Sequence, residues 1–347
     1  MRVVIDILHP AHVHVFRHFM SEMQARGHEV IVFSRHKDVT VDLLDAYGIS
    51  HEVLSTQRAG VVALAAEMGL RCTRLVQKLF SRPPDVFMGI MGPAIAVTGK
   101  MFPRAKSYVF YDNESARSVN KVVYQLADLY CTPEAYQEPA GPHHVRYPGY
   151  HELAYLHPNW FTPDPAVVER YGLGDKPLFL LRFVAWESIH DVGESGLSLD
   201  LKRELIRRLS ERGTVVISSE SELPAEFEPY RLIIEPEDIH HVLAQTSLLV
   251  GESSTMASEA AVLGCHAFFV SKTGRGVNDE QEAKYGINHC FTIGEDERVL
   301  ARLDELLALP DMRADAEERR DRMLADSVDL TQWMIELVEN GQPPSRS

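Results

Sequence analysis

Short runs of consecutive apolar residues alternate along the chain with stretches that are apolar at every third or fourth position. Val3–Leu8 is apolar except for Asp6, the pattern of a strand covered on both faces. Val13–Arg26 repeats at helical spacing and stops at Gly27, a natural helix end. The alternation predicts further strands at Glu29–Phe33, Glu52–Leu54, Val86–Met88, Ser107–Phe110 and Leu129–Cys131. Helices are expected near Val39–Tyr47, Gly60–Phe80, after Met88, and around Val119–Leu126. Strands joined through helices at this spacing imply right-handed crossovers and a parallel sheet.

Pro133–Pro165 is rich in Pro, His and Tyr, has no period, and reads as a passage between domains. A second series follows, with strands expected at Leu178–Arg182, Val215–Ser218, Leu232–Ile234, Leu248–Gly251, Ala267–Val270 and Phe291–Ile293. Its helices fall at Leu199–Arg212, Ile239–Gln245 and Met256–Leu263, and charged helices run from Glu297 onward. The organisation is therefore an N-terminal Rossmann-like domain over 1–155, a C-terminal one over 156–320, and a helix and tail over 321–347. In two doubly wound domains of this kind, ligands sit at the carboxyl ends of the strands, in a cleft between the sheets. The loops after the strands are where chemistry is expected.

Composition narrows the choice. A hydrophobic fraction of 45% and a charged fraction of 24% describe a globular protein with a substantial core. The formal net charge of -15 argues against nucleic acid as a partner, since phosphate tracking needs a basic field. It leaves room for one small anion held by backbone amides at a helix start. The four cysteines lie far apart without zinc spacing, so reduced thiols are expected. The opening residues do not read as a signal peptide, and no run approaches the ~18 apolar residues that span a bilayer. A cytoplasmic location is expected, peripheral at the inner membrane face if Gly60–Arg82 docks there. That helical tract carries Arg71, Arg74, Lys78 and Arg82 among apolar residues, which suits either an anionic lipid surface or a core helix with basic ends.

Five loops carry candidate chemistry. In Gly251–Gly264 a strand ends, Ser253, Ser254 and Thr255 follow, and a helix begins; hydroxyls and amides at its positive end suit a diphosphate. Glu259, about one turn in, could accept hydrogen bonds from ribose hydroxyls; equally, Ser254 or Thr255 is an N-cap and Glu259 a first-turn acid. The first loop holds His9, His12 and His14, and a histidine there can serve as a base. Histidines two apart across a helix start face one metal poorly, so no metal is expected. Gly89 and Gly92, after another strand, let backbone approach a ligand, but without the spacing of a dinucleotide site. Asp112, Asn113 and Glu114 place carboxylates after the Ser107–Phe110 strand, as a base or a sugar contact, or as a turn start. In the second half, Arg182 can fork onto a phosphate and Trp186 can form a platform for a base or sugar. Asn278–Glu282 opens a further helix whose polar side chains could read hydroxyls.

Together these residues resemble the GT-B superfamily of nucleotide-sugar enzymes. The opening IDILHPAHVHVF and the middle LRFVAWESIHDVG mark the chain as similar to an archaeal and bacterial family of unknown function within that superfamily. SSTMASEAAVLG is similar to the SGG-x-x-E-E-A-x-x-L-G stretch of the UDP-N-acetylglucosamine 2-epimerases, which implies Ser253, Ser254 and Thr255 near the diphosphate and Glu259 on the ribose. AHVHVF resembles the G-G-H-V-F turn of the transferase that adds N-acetylglucosamine to lipid I, which implies that His12 takes the cleft histidine position. DNESARSVNKVVYQLADLYCTP resembles that enzyme's E-Q-N...N...AD segment and points to Glu114 and Asn120, while Asp279 and Gln281 stand where it has a sugar-reading D-x-x-Q.

The resemblance implies a metal-independent glycosyltransferase without a resident cofactor. A nucleoside diphosphate sugar, UDP-linked by this analogy, would be the donor, and a lipid- or polysaccharide-linked molecule in cell-surface glycan synthesis the acceptor. His12, Asp112 or Glu114 would be the base, with His9, His14, Gly89, Gly92, Asn113 and Asn120 on the acceptor side. Two rivals share the scaffold: a UDP-N-acetylglucosamine 2-epimerase, and a non-catalytic sugar-nucleotide sensor or partner subunit.

Overall fold

The computed structural model describes residues 1–57, 60–112, 123–138, 141–184, 196–219, 222–272 and 276–344. The chain forms two compact units, Met1–Trp160 with Ser327–Ser347, and Phe161–Asp326.

The first unit is a seven-stranded sheet in the order β3-β2-β1-β4-β5-β6-β7. The strands are β1 (Arg2–Ile7), β2 (Glu29–His36), β3 (Glu52–Thr56), β4 (Val86–Ile90), β5 (Lys106–Phe110), β6 (Leu129–Pro133) and β7 (His144–Tyr147), all paired in parallel. Strand order reverses between β1 and β4, so the loops leaving these two strands flank a crevice at the carboxyl edge. β7 lies within the stretch read from sequence as a passage: β6 and β7 extend the sheet through it.

Helix α1 (Pro10–Ala25) begins with Pro10 in its first turn and with the His9 side chain accepting a hydrogen bond from the Ala11 amide. Gly27 follows with φ +82°, a backbone conformation that side chains disfavour, and the helix stops. Its buried face, Val13, Phe16, Phe19 and Met23, packs down on the unit. Helices α2 (Thr40–Ala46), α3 (Val61–Leu79) and α4 (Pro93–Gly99) follow the next strands.

Asp6 interrupts the apolar run of β1 for a reason that lies on α3. It is fully buried and forms an ion pair with Arg71, itself 2% exposed, whose guanidinium also donates to the Ser34 carbonyl and the Ser55 hydroxyl. The other three cations of the tract are engaged too: Arg74 donates to the Leu54 carbonyl, Lys78 pairs with Glu52, and Arg82 with Glu29. Of the two readings of this tract, the core helix with basic ends describes Arg71, while Lys78 and Arg82 are paired at the surface. Among the residues that α3 exposes are the apolar Val62, Met68 and Leu70, alongside Arg74 and Lys78.

The second unit is a five-stranded parallel sheet in the order β12-β11-β10-β8-β9. It comprises β8 (Leu178–Phe183), β9 (Thr214–Ser219), β10 (Thr246–Gly251), β11 (His266–Val270) and β12 (Asn288–Phe291), with the order reversing between β8 and β10. Leu181, Leu205, Ile217, Val250, Phe268 and Leu303 form its core. The strand expected at Leu232–Ile234 is absent: only Arg231 bridges to Ile217, and Ile233 is 79% exposed, so no buried face holds the segment in a ladder. The last helix, Leu330–Asn340, belongs to the first unit. Among the described residues, no helix is long and apolar enough to cross a membrane.

Candidate functional site

In the second unit β10 ends at Gly251 against β8, so closely that a Cβ there would stand 2.5 Å from the Arg182 carbonyl oxygen. The turn that follows caps the helix Ser254–Val262: the Ser253 hydroxyl accepts from the Met256 amide at 3.3 Å. Helix geometry leaves the Ser254 and Thr255 amides without carbonyl partners at the positive end of the dipole. Ser253 and Ser254 are partly exposed and Thr255 is exposed. A hydroxyl-rich, amide-bearing turn of this kind can hold a diphosphate.

Behind the turn lies a buried polar network. The Asn278 amide donates to the Ser254 hydroxyl at 2.6 Å, Asn288 donates to the side-chain oxygens of Asn278 and Gln281 at 2.7 and 3.0 Å, and Gln281 donates to the Ser258 hydroxyl at 2.9 Å. Gln281 has no solvent exposure, so its amide braces the helix from inside. Asp279, two residues before, is partly exposed. Glu259 is 6% exposed and lies 3.0 Å from Nε2 of His240. Arg182 lies within β8, where its guanidinium donates to the Ser218 hydroxyl of β9 at 2.8 Å.

Sequence reasoning passed over Glu252. Its buried carboxylate accepts from the Val184 amide at 3.0 Å and from the Leu197 amide, so it holds both ends of the segment between β8 and the next helix to the tip of β10. Trp186 lies in that segment, outside the described residues, as do Asn113, Glu114 and Asn120. Asp279, Glu282 and Cys290 bring three potential metal-ligating atoms within 4.8 Å of one another, but the Glu282 carboxylate already accepts from the Cys290 amide at 3.3 Å. A cavity of about 500 Å³ in this unit, lined by Phe179, Arg212 and Leu306, opens at the amino end of the sheet, remote from the Ser253 turn.

In the first unit, the carboxyl edge gathers His9, His12 and Asp112 with His151, which heads the short turn His151–Ala154 after β7. Nδ1 of His12 accepts from the Leu8 amide at 3.3 Å, and Nδ1 of His9 accepts from the Ala11 amide at 3.2 Å. A ring nitrogen that accepts carries no proton, so in both neutral rings the proton sits on Nε2 and that edge donates. Burial, with the nearby Lys37, lowers His9 to about 4, and burial with His9 beside it holds His12 well below the ordinary histidine value. Both rings are therefore neutral at neutral pH and present an N–H at Nε2.

His151 is the opposite case. Burial pulls it down, but the charge and hydrogen bond of Asp112, with Glu152 adding, prevail and raise it; Nδ1 lies 3.3 Å from Oδ2 of Asp112. Burial alone would raise Asp112, yet His151 and then His12 bring it below the usual carboxylate range. His14 packs α1, its ring stacked 5.4 Å from Tyr155 and edge-on 5.9 Å from Tyr47. Gly89 lies inside β4, where a Cβ would stand 3.0 Å from Ile95; its small size serves the packing of α4. Gly92 caps α4, and before it Met91 adopts φ +49°, uncommon for a residue with a side chain.

Two doubly wound parallel sheets of this kind make a GT-B-like fold. The chain belongs to the family described as "Protein of unknown function (DUF354)", whose model matches residues 1–340. Among solved structures it is similar to the S. aureus MnaA–UDP co-structure (12% identity, TM-score 0.69, 100% of this chain and 99% of that one). It is also similar to UDP-GlcNAc 2-epimerase from Neisseria meningitidis bound to UDP-GlcNAc (12%, 0.65, 98% of each). A third likeness is spinosyn rhamnosyltransferase SpnG complexed with thymidine diphosphate (14%, 0.62, 98% and 99%). At these identities the likeness shows the fold. No curated protein matches the chain.

Proposed function

We propose that the protein is a glycosyltransferase that moves a sugar from a nucleoside diphosphate donor to a hydroxyl-bearing acceptor. The observation that carries this reading is the Ser253–Thr255 turn, capped by Ser253 and braced through Ser254 by the Asn278–Asn288–Gln281 network. A rigid set of hydroxyls and amides at a helix start offsets the charge that develops on a departing diphosphate without a metal ion. The fold is shared with proteins whose structures hold UDP, UDP-GlcNAc and thymidine diphosphate, which favours a pyrimidine nucleotide as the leaving group. At its own carboxyl edge the first unit carries neutral N–H donors at His9 and His12 beside acidic and imidazole groups. A lipid- or polysaccharide-linked acceptor and an enzyme working in the cytoplasm are part of the same reading.

The test is a thermal-shift panel of UDP, thymidine diphosphate, ADP and their sugars. A ligand that binds only the folded state at a hundred times its Kd adds about 2.7 kcal/mol of stability. UDP or thymidine diphosphate should raise Tm, and Ser254→Ala with Thr255→Ala should abolish the rise; no shift with any nucleotide refutes the reading. The epimerase alternative is favoured by the likeness to UDP-GlcNAc 2-epimerase from Neisseria meningitidis bound to UDP-GlcNAc. Incubation with UDP-N-acetylglucosamine alone decides, because an epimer appearing without acceptor establishes that chemistry instead.

A further inference from the structure

We infer that His151 is the residue that takes the acceptor's proton, with Asp112 as the carboxylate that positions it. This inference rests on the transferase reading and deepens it. His151 is 4% exposed, and its Nε2 is buried with no hydrogen-bond partner among the described residues. A buried ring nitrogen without a partner is costly, and such atoms call for a ligand, an ion or a catalytic role. The other ring nitrogen faces Asp112 at 3.3 Å, and a carboxylate at that distance accepts, so Nδ1 carries the proton and Nε2 of the neutral ring keeps its lone pair.

The ring is held from several sides. Tyr147 stacks at 6.3 Å with an interplanar angle of 16°, and Phe110 lies 6.4 Å away. The Tyr147 hydroxyl is also buried with no partner among the described residues. The charged and titratable groups acting on His151 are Asp112 from the end of β5 and Glu152 from its own turn, and His12 of α1 interacts with the same pair.

The contrast with the first loop is what assigns the role. His9 and His12 present N–H edges and can only donate while neutral; His151 alone of the three presents a lone pair backed by a carboxylate. The acceptor hydroxyl gives its proton to Nε2 of His151, its oxygen bonds to the anomeric carbon, and the bond from that carbon to the diphosphate breaks with its electron pair leaving on the diphosphate. Asp112 stays ionised and stabilises the resulting imidazolium, which later returns its proton to water.

Three measurements on the full chain test this. If no nucleotide raises Tm, the transferase reading fails and takes the inference with it. Given binding, nitrogen-15 NMR of the histidine rings should find His151 with its proton on Nδ1 when neutral and titrating above 6.5, and His12 with its proton on Nε2 and neutral throughout. His151 protonated on Nε2, or titrating below 6.5, overturns the inference while leaving the transferase reading intact. Turnover of the nucleotide sugar giving the largest Tm rise, followed as diphosphate release, should rise with pH through the His151 value. His151→Gln should lower kcat at least 100-fold, leave KM and UDP affinity within twofold, and remove the pH limb. Asp112→Asn should keep the limb but move it to lower pH. Retained rate and pH profile in His151→Gln, with loss in His12→Gln, reverses the assignment.

Discussion

Nε2 of His240 and Oε1 of Glu259 lie 3.0 Å apart with both side chains buried, so the acid offered by sequence for a ribose is also tied to a neighbouring helix. With the carboxylate accepting, the imidazole must donate, and one face of Glu259 is committed to holding the helix Ser254–Val262 to Ile239–Gln245.

The two roles separate in one experiment. If Glu259 contacts ribose, Glu259→Gln should weaken UDP binding about tenfold, near 1.4 kcal/mol, and leave inorganic pyrophosphate binding unchanged. Calorimetric titration with both ligands checks it. An equal loss for both ligands means the residue only braces the turn.

The Asp6–Arg71 pair sets a stability prediction. Both side chains are buried, so removing one partner strands the other's charge in the core. Asp6→Ala or Arg71→Met should each cost about 3–5 kcal/mol, and the double replacement should cost less than the sum. Urea unfolding of the three variants measures the coupling.

Gly251 makes the last paired position of β10 and abuts β8. A methyl group there would meet the Arg182 carbonyl at 2.5 Å and the Arg182 Cβ at 2.7 Å, backbone that cannot rotate away. Gly251→Ala should therefore destabilise the unit by about 1–3 kcal/mol and displace the Ser253 turn. A loss of nucleotide affinity accompanying the drop in Tm is the expected result.

Acid should weaken the fold through His289. Burial, with Arg302, His266 and Arg319 nearby, lowers it to about 2 against the opposing pull of Asp315. Below 6.5 the unfolded chain protonates this ring and the native state does not, so stability falls with pH from 6.5 down toward 2. One such proton gives a slope of about 1.4 kcal/mol per pH unit. His289→Gln should be less stable at pH 7 yet lose stability less steeply between pH 6.5 and 5, read from urea midpoints. His151, raised by Asp112, acts in the opposite sense: its contribution is present below 6.5 and is lost as pH rises through its own value.

Much of the architecture was legible because buried parallel strands have to be apolar on both faces and their helices on one. Val3–Leu8, Leu248–Gly251 and the α1 pattern each fell where the strands and helix stand. Boundaries were less legible where polar residues lie inside elements: β7 reads His-Val-Arg-Tyr and has no period of its own, and it exists because β6 offers it an edge. Leu232–Ile234 had the composition of a strand but no buried face to occupy.

At the site, the motif SSTMASEA was visible because a strand end, small hydroxyl residues and a helix start are local in sequence. His151 was not, because the carboxylate that faces its Nδ1 is remote in the chain; Asp112 reaches it from 39 positions earlier, brought there by β5 and β7 lying in one sheet. The tautomers of His9 and His12 were equally hidden, being set by backbone amides of the first turn. By itself, then, the sequence determined which segments pack and which loops follow the strands, since those follow from local periodicity and turn chemistry. Only the tertiary structure decided which ring nitrogen holds a lone pair and which charges are already matched, since protons and ion pairs are settled by neighbours far apart along the chain.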